Sequence, residues 1–448
     1  MDRKYKKIVV LDSVIFFPEH RERLRRICEE LVEYDTCKTE EEVLERVRGA
    51  DCIISCWVDV PNRVLDENPQ LRTVAFWTHA FEHRIDIDYA RARNIFVPSI
   101  PDYGTDSVAE LVFIGLLHLY SNRGGAISFG PKSEPQTIAE AIMARVADDV
   151  RCFGRNVKAN LDGSWTHEYI KAGKLRLTSA DDFEEQTLKG LTLGLLAGSS
   201  INQELLTIAV GGFRMNAIYS LCDLPYALDL TFRPIEELLT ESHVVIYDSR
   251  TIPAILVDRI RNGRYLSTVD VASVSPSTAK TIFGRKLGIV GLGRIGTRVV
   301  QIARDGFAMD VRYHSRNVRP EIDDHFGIRS VGIQQILTES DVITFHLPHV
   351  GAEEVITREM VDLIPRQTTV VNVSVGNIFQ DQRHLLARFA EADLNGYIDV
   401  YSGLPPKIEL RGHKQYLLST YRLGWRTKST VGLKTHKLIT KLENGLKH

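Results

Sequence analysis

The chain has 448 residues, of which 44% are hydrophobic and 25% are charged, and its formal net charge is −2. This is ordinary globular composition, and the length predicts two or three domains. The charge gives no indication of a polyanion or a membrane as partner. The longest apolar run, around 111–119, is too short to span a bilayer, and the chain starts without a secretory signal. We therefore expect a cytoplasmic protein whose scattered cysteines are free thiols.

In chain order, the first hundred residues alternate predicted strands and helices. The predicted strands are 7–11, 52–57, 73–76 and 95–97, and the predicted helices are 19–32 and 41–47. A long apolar helix follows, with Ser107 as its N-cap and Asp106 at its positive end. After a loop-like stretch at 122–136, Thr137 and Glu140 are spaced as a capping box for another helix. This alternation predicts an open parallel α/β sheet.

The middle of the chain contains a long repeat. Residues 190–223 match residues 284–317 in register, and the Leu-Thr-Glu-Ser segment at 239–242 recurs at 337–340. The identical pairs include Gly190 with Gly284, Leu193 with Leu287, Gly194 with Gly288, Gly212 with Gly306, Phe213 with Phe307 and Tyr219 with Tyr313. Identities in register over this length predict a duplicated βαβ domain.

The second copy carries the strongest motif of the chain. An apolar strand leads into Gly291-x-Gly293-x-x-Gly296, and a helix-forming pattern follows. Gly291 permits the tight turn, Gly293 lets the backbone approach a pyrophosphate, and Gly296 allows close helix–strand packing. This order predicts a dinucleotide site at the start of the helix, with Arg294 and Ile295 among its contacts.

The first copy lacks this motif. Ala197, Ser199 and Asn202 stand where the second copy has its three glycines, and side chains there would crowd a pyrophosphate. The copy also ends near Ser273, without the last helix and strand of the second. We therefore expect a degenerate half-domain with a structural role.

The end of the second strand in the intact copy selects the cofactor. A carboxylate there would accept hydrogen bonds from the adenosine ribose and favour NAD. The chain has His314, Ser315 and Arg316 instead, and the last two can bind a 2′-phosphate. The sequence therefore favours NADP(H), while a solvated polar turn that still admits NAD(H) is the alternative.

These motifs resemble those of the D-isomer-specific 2-hydroxyacid dehydrogenases. The matching segments are IPDYGTDSVAELV (100–112), DGSW (162–165), GRKLGIVGLGRIG (284–296), LTESDVITFHLP (337–348), VVNVSVGN (370–377) and NGYIDVY (395–401). The resemblance implies a homodimer and a flavodoxin-like split substrate domain beside a Rossmann cofactor domain. The predicted domains are 1–124 completed by 403–448 for substrate, 125–280 for a linker helix and the degenerate repeat, and 281–402 for the dinucleotide.

The resemblance fails at the catalytic positions. Val375 stands at the family's substrate-binding arginine, Leu404 at its glutamate, and Arg422 at its acid–base histidine. Arg422 stays protonated, so it can stabilise an oxyanion but is a poor proton shuttle. We expect rearranged catalytic residues for this reason. The family's nicotinamide contacts are better matched, by Pro348, Val373 and Asp399.

His79, Glu82 and His83 follow the strand at 73–76, where the family's backbone grips substrate. Either histidine could supply the missing acid–base group, with Glu82 to orient it, although an inert polar loop is the more frequent reason for such residues. The same letters match an inverted zinc-protease motif, but that motif requires a helix, so we predict no metal.

The basic C-terminal tail has three interpretations. A nucleic-acid patch would combine its cations with its aromatic rings, but a final helix that docks an apolar face is favoured. That face is formed by Val431, Leu438, Ile439 and Leu442. The third interpretation is that Arg422 or Arg426 attracts an anionic small-molecule substrate.

Two functions are compatible with these residues. The first is a nicotinamide-dependent oxidoreductase that acts on a hydroxyl or carbonyl substrate through rearranged residues. The second is an inactive dinucleotide-binding scaffold or sensor, as in the C-terminal-binding-protein corepressors that resemble the same family.

Overall fold

The computed structural model describes residues 4–78, 81–98, 100, 102–121, 135–151, 157–158, 186–196, 202–220, 230–273, 281–348, 351–374, 376–399, 416–419 and 423–446. The chain forms two compact units. The first takes in residues 1–104 and 428–448, and the second takes in 105–168 and 185–427. Among the described helices, none has the length and apolar character that a membrane crossing needs.

The first unit is built on a four-stranded parallel sheet of order β2-β1-β3-β4. The strands are β1 (Tyr5–Val10), β2 (Cys28–Glu33), β3 (Cys52–Ser55) and β4 (Thr73–Phe76), and the helices are α1 (Pro18–Ile27), α2 (Glu40–Arg46), α3 (Asn62–Glu67), α4 (Ile87–Ala92) and the C-terminal α15 (Lys428–Gly445). Strands β3 and β4 are buried throughout, as expected for a parallel sheet covered on both faces. This strand order is the flavodoxin-like one, as the resemblance implies.

Three local predictions for these regions are wrong. The helix predicted over 19–32 ends at Ile27, because the following residues leave it to form β2 and pair with β1. The strand predicted over 95–97 is a single bridge from Phe96 to Thr73. Ser107 is not an N-cap, since its helix begins at Thr105 and its hydroxyl donates to the carbonyl of Gly424.

The second unit contains two sheets, whose strands pair in parallel except for the antiparallel pair of β17 and β5. The larger has the order β13-β12-β11-β14-β15-β16-β17-β5, and the smaller has the order β10-β9-β6-β7-β8. The strands are β5 (Val157–Lys158), β6 (Thr192–Leu196), β7 (Asn216–Tyr219), β8 (Thr231–Phe232), β9 (Val244–Tyr247), β10 (Ser267–Asp270), β11 (Lys286–Val290), β12 (Asp310–His314), β13 (Arg329–Ser330), β14 (Val342–Phe345), β15 (Thr369–Asn372), β16 (Asn395–Ile398) and β17 (Tyr416–Ser419). The strand order β8-β7-β6-β9-β10 of the first repeat is therefore the same as the order β13-β12-β11-β14-β15 of the second.

Helices surround these sheets, and the two repeats share one hydrophobic core. The helices are α5 (Thr105–Ser121), α6 (Pro135–Arg151), α7 (Asn202–Leu206), α8 (Ile235–Glu241), α9 (Ala254–Asn262), α10 (Arg294–Gln301), α11 (Pro320–Phe326), α12 (Ile333–Glu339), α13 (Arg358–Asp362) and α14 (Gln382–Ala390). Helices α7 and α10 continue into the π-helical segments Thr207–Gly212 and Ile302–Gly306. Buried residues of α5, α6 and both sheets form a single cluster.

The domain boundaries differ from those predicted. Helix α5 belongs to the second unit, so the first boundary lies after residue 104 rather than 124. The cause is its apolar surface: Phe113 is fully buried and stacks on Phe307 of the second repeat at 5.2 Å between ring centroids. Strand β17 extends the larger sheet, so the C-terminal part of the first unit begins at Lys428 rather than 403. The two repeats lie in one unit and are not divided at residue 280.

Candidate functional site

The turn between β11 and α10 requires glycine at two positions. Gly291 has a left-handed backbone, with φ of +101°, and a Cβ there would lie 2.4 Å from the carbonyl oxygen of His346. A Cβ at Gly296 would lie 2.3 Å from the carbonyl oxygen of Gly291. Each clash is with backbone, so neither can be relieved by a side-chain movement. These glycines therefore shape the turn and bring the helix close to the strand.

Gly293 has a different environment. It is exposed, forms the N-cap of α10, and among the described residues has no atom within 4 Å of the place where a Cβ would stand. The start of α10 therefore borders open space at this residue. A helix N-terminus beside open space is what a pyrophosphate needs. The residues of this turn fit a dinucleotide for that reason.

The strand end that selects the cofactor carries no carboxylate. The Nδ1–H of His314 donates to the carbonyl of Val331 at 3.1 Å, so this ring is held by the neighbouring loop. Ser315 is half-buried and Arg316 is exposed. Within the described parts of the chain, no hydrogen bond or ion pair engages the side chains of Ser315 and Arg316. Both are therefore available for a phosphate on the adenosine ribose.

The ends of β14 and β15 contain orphaned polar groups. His346 is bonded through Nε2 to Thr344 Oγ1 at 3.0 Å, whereas its Nδ1 is buried and has no hydrogen-bond partner in the described part of the chain. Burial lowers the pKa of His346 to about 3, so the imidazole is neutral at physiological pH. The Nδ2 of Asn372 is also buried and unpaired. Such groups at a ligand-binding edge are satisfied when a polar ligand arrives.

The same edge is braced by Ser374. Its Oγ accepts the N–H of Leu347 and donates to the carbonyl of Phe345, both at 2.8 Å. These bonds join the ends of β14 and β15. The predicted nicotinamide contacts Pro348 and Val373 lie in the two segments so joined, the first exposed and the second half-buried.

Asp399 follows β16, but its carboxylate is used within the protein. It accepts hydrogen bonds from the N–H groups of Leu423 at 2.7 Å and Gly424 at 3.1 Å, and from Tyr397 Oη at 3.1 Å. The residue is 3% exposed. Its visible role is to fix the turn that precedes α15, and the predicted contact to the cofactor amide stays a prediction.

Arg426 lies in that turn. It is 7% exposed, and its Nε and Nη1 are buried without a hydrogen-bond partner among the residues that the structure describes. A guanidinium in this state carries an uncompensated desolvation cost, which an anion would remove. The sequence names Arg426 only together with Arg422, and nothing in its spacing distinguishes the two. The structure describes the burial of Arg426 alone, since Arg422 lies outside the described residues.

The other predicted catalytic positions are less well defined. His79, Arg422, Val375 and Leu404 lie outside the described residues. In the first unit, Glu82 and His83 occupy a turn and line a cavity of about 990 Å³ at the carboxyl ends of β1 and β3. His83 is exposed there. The zinc-motif helix is therefore not formed at Glu82 and His83, and their catalytic role stays a prediction.

One notable residue of the first unit was not identified from the sequence. Lys434 of α15 is 4% exposed, and its Nζ lies 3.5 Å from the ring centroid of Trp77 and 4.6 Å from that of Tyr103. Burial lowers the pKa of Lys434 to about 8. A signal was present, because Lys434 falls three residues after Val431 on the predicted apolar face of α15.

The glycine turn, its strands and the open helix N-terminus together define a Rossmann-type dinucleotide-binding domain. Residues 249–421 match the family model described as the NAD binding domain of D-isomer specific 2-hydroxyacid dehydrogenases. The chain therefore contains a segment similar to that domain.

Individual proteins are also similar to parts of this chain, which spans little more than a third of the length of the first relatives it matches. The glyoxylate reductase of Thermococcus kodakarensis is 32% identical over 126 residues, which are 28% of this chain and 37% of that protein. The D-lactate dehydrogenase from Aquifex aeolicus, solved with NAD and lactic acid, has a TM-score of 0.53 at 16% identity, over 99% of this chain and 96% of its own. An acyclic imino acid reductase, solved with NADPH and D-Arg, has a TM-score of 0.54 at 17% identity, over 98% and 97%. The two structures share the fold of this chain.

Proposed function

We propose that the protein is an NAD(P)-dependent oxidoreductase that interconverts a hydroxyl and a carbonyl group on an anionic small molecule. The observation that carries this proposal is the turn from β11 to α10. Gly291 and Gly296 are required by backbone contacts, whereas Gly293 faces open space at the helix start. The protein itself would tolerate a side chain at Gly293, and the close approach of a pyrophosphate supplies a physical reason for glycine there.

The bound nicotinamide would supply or accept a hydride. The residues of this chain would bind and orient it: the first N–H groups of α10 would hold the pyrophosphate, and Ser315 and Arg316 would hold a 2′-phosphate. Neutral His346, with its unpaired Nδ1, would offer a hydrogen-bonding atom and no charge at the end of β14. The positions of Ser315 and Arg316 favour NADP(H) over NAD(H).

The anionic character of the substrate is inferred from Arg426. The family position of the substrate-binding arginine is Val375 here, which cannot pair with a carboxylate. Arg426 is a nine-tenths buried guanidinium with two unpaired nitrogens in the same unit. A carboxylate or phosphate would supply the missing hydrogen bonds, in the planar geometry that a guanidinium prefers.

The cofactor site can be tested with Gly293→Asp. This residue has an extended backbone and is the N-cap of α10, where aspartate is a favoured residue, so the fold should be retained. Its carboxylate would repel a pyrophosphate. We expect calorimetry to show at least about a hundredfold loss of NADPH affinity, since a misplaced charge costs several kcal/mol. Gly332→Asp is the matched control, because Gly332 is also an N-cap facing open space, at α12.

Cofactor preference can be tested with Arg316→Ala. The loss of a charge-assisted bond of about 1.5–3 kcal/mol should weaken NADPH binding roughly ten- to a hundredfold and leave NADH binding within about twofold. Arg329→Ala removes an equal charge from an exposed position on the neighbouring strand and should change neither. Equal effects of Arg316→Ala on both cofactors would refute the NADP(H) preference.

The substrate site can be tested with Arg426→Gln. A screen of 2-oxoacids and uncharged carbonyls with NADPH should find turnover of the acids, and the variant should raise their KM while NADPH affinity is kept. Arg383→Gln, at an exposed arginine of α14, is the control. Tight NADPH binding with no turnover of any carbonyl compound would favour the inactive sensor or scaffold instead.

A further inference from the structure

The two repeats of the second unit use the same internal contacts. In the first, a Cβ at Gly194 would lie 2.1 Å from Ser242 Oγ, so strand β6 needs glycine where α8 ends against it. In the second, a Cβ at Gly288 would lie 2.4 Å from Ser340 Oγ, at the corresponding place on β11 and α12. Each repeat also follows its first helix with a π-helical segment. The two copies are therefore alike in packing as well as in strand order.

These copies meet through corresponding residues. A Cβ at Gly212 would lie 3.0 Å from the Cα of Gly306, and a Cβ at Gly306 would lie 2.8 Å from the Cα of Gly212. Beside them, the rings of Phe213 and Phe307 pack edge to face with centroids 6.3 Å apart. Contact of each residue with its own counterpart is what a two-fold axis produces in a symmetric dimer.

Helix α5 connects the two repeats. Its Glu110 accepts hydrogen bonds from the N–H groups of Leu188 and Lys189, both at 2.9 Å, immediately before the first repeat. The body of α5 nevertheless packs on α10 of the second repeat. The helix thus caps the entry of one repeat and covers the other.

Helix α6 makes the corresponding contacts with the two repeats interchanged. Its Glu140 accepts hydrogen bonds from the N–H groups of Ile282, at 3.2 Å, and Phe283, at 3.1 Å, immediately before the second repeat. The body of α6 packs on α7 of the first repeat. Ile282 and Phe283 correspond in the repeat to Leu188 and Lys189. The two helices are therefore exchanged between the repeats as if by the same two-fold rotation.

The pairing is not fully symmetric. Arg298 of α10 is 4% exposed, and it donates to the carbonyl of Gly212 at 3.1 Å and to Asp106 Oδ1 at 2.8 Å. The corresponding residue of the first repeat is Glu204. A carboxylate cannot donate to a carbonyl oxygen, so the bond from Arg298 to Gly212 has no counterpart from Glu204 on the other side of the pairing.

We propose that the two repeats of the second unit pair with each other as the two subunits of a symmetric dimer would, but within one chain. The first repeat, which has lost the dinucleotide glycines, serves as the built-in partner of the repeat that retains them. The surface through which the second repeats of two chains could pair is covered by the first repeat of the same chain. The protein is accordingly a monomer with a single dinucleotide site per chain, which replaces the homodimer implied by the family resemblance.

The test begins with mass in solution. Light scattering of the intact chain should give the monomer mass of 50.6 kDa. A protease site introduced within 274–280, between the repeats, then allows the chain to be cut. The cut protein should keep the same mass under native conditions, because the repeats hold each other without the connection. A doubled mass of the intact chain that Gly306→Leu halves would overturn the proposal, and so would separation of folded fragments after cutting.

Because Gly306→Leu could prevent folding, a double-mutant cycle with the smaller alanine side chain is also measured. Gly212→Ala and Gly306→Ala each place a methyl group at one contact, so each should lower the thermal midpoint, and their effects should not add. Additive effects would mean that the two glycines do not meet, and would also overturn the proposal. Gly332→Ala, in open space, is the control. None of these measurements requires cofactor binding, so a failure of the proposed function would be distinguishable.

Discussion

Buried Lys434 predicts an unusual pH dependence of stability. The pKa of its amine is lowered from 10.5 to about 8, first because of burial. Below pH 8 the amine is charged in both folded and unfolded chains, and the folded chain bears the full cost of burying that charge. Between about 8 and 10.5 the unfolded chain binds more protons than the folded one. The contribution of Lys434 to the free energy of unfolding therefore rises with pH across this window.

The magnitude follows from the shift. The difference between 10.5 and about 8 is about 2.5 pH units, and at 1.36 kcal/mol per unit this is on the order of 3 kcal/mol. The contacts of Nζ with the rings of Trp77 and Tyr103 offset part of the cost of burial but do not cancel it. Lys434→Met keeps a chain of similar length in the same space and removes the charge.

We expect Lys434→Met to be more stable than the wild type at pH 7 by up to about 3 kcal/mol, and this advantage to vanish towards pH 10.5. The assay is urea unfolding followed by circular dichroism at several pH values. Burial raises the pKa of Cys56 to about 12, and this thiol makes the folded chain less stable as pH rises above its ordinary value. The thiol is present in both proteins, but Lys434 contributes to its pKa, so the comparison reports the lysine together with its smaller interaction with Cys56. An advantage that is constant or grows with pH would refute the reasoning.

Two further predictions concern the second unit. Gly291→Ala should lower the free energy of unfolding by at least about 2 kcal/mol, because it combines a left-handed backbone with a clash against the carbonyl of His346; an unchanged urea midpoint would contradict this. Asp399→Asn should accelerate amide hydrogen exchange at Leu423 and Gly424, whose N–H groups lose a charged acceptor worth roughly 1.5–3 kcal/mol per bond; unchanged exchange at both would show that the turn is held by other contacts.

Much of this architecture could be predicted because it is local. The strand at 73–76 and the helix at 41–47 follow from periodicity, and the glycine turn at 291–296 follows from conformations that only glycine adopts. Strand β2 could not be predicted in this way. Its residues continue the helical pattern of α1, and they become a strand because β1 offers a free edge.

The candidate site was predictable only where a motif specifies backbone shape. Arg426 and Lys434 are ordinary cations in a basic tail, and only burial sets them apart. For Lys434 this burial involves the ring of Trp77, hundreds of positions away. Glu110 and Glu140 show the same limit. Glu140 fits the spacing of a capping box, yet it caps the segment before the second repeat, a tertiary contact that no local pattern contains.

The glycines that the first repeat keeps and those that it lacks agree with its proposed role as the partner of the second repeat. Gly190, Gly194 and Gly212 are identical with their counterparts in the second repeat, and each serves packing or backbone shape: a left-handed turn with φ of +81°, contact with Ser242, and contact with Gly306. The three dinucleotide glycines are replaced. A copy that bound a dinucleotide would need those three glycines. A copy that serves as a partner needs only Gly190, Gly194 and Gly212. The first repeat therefore keeps the glycines that the proposed partner role requires and lacks the three that a dinucleotide requires.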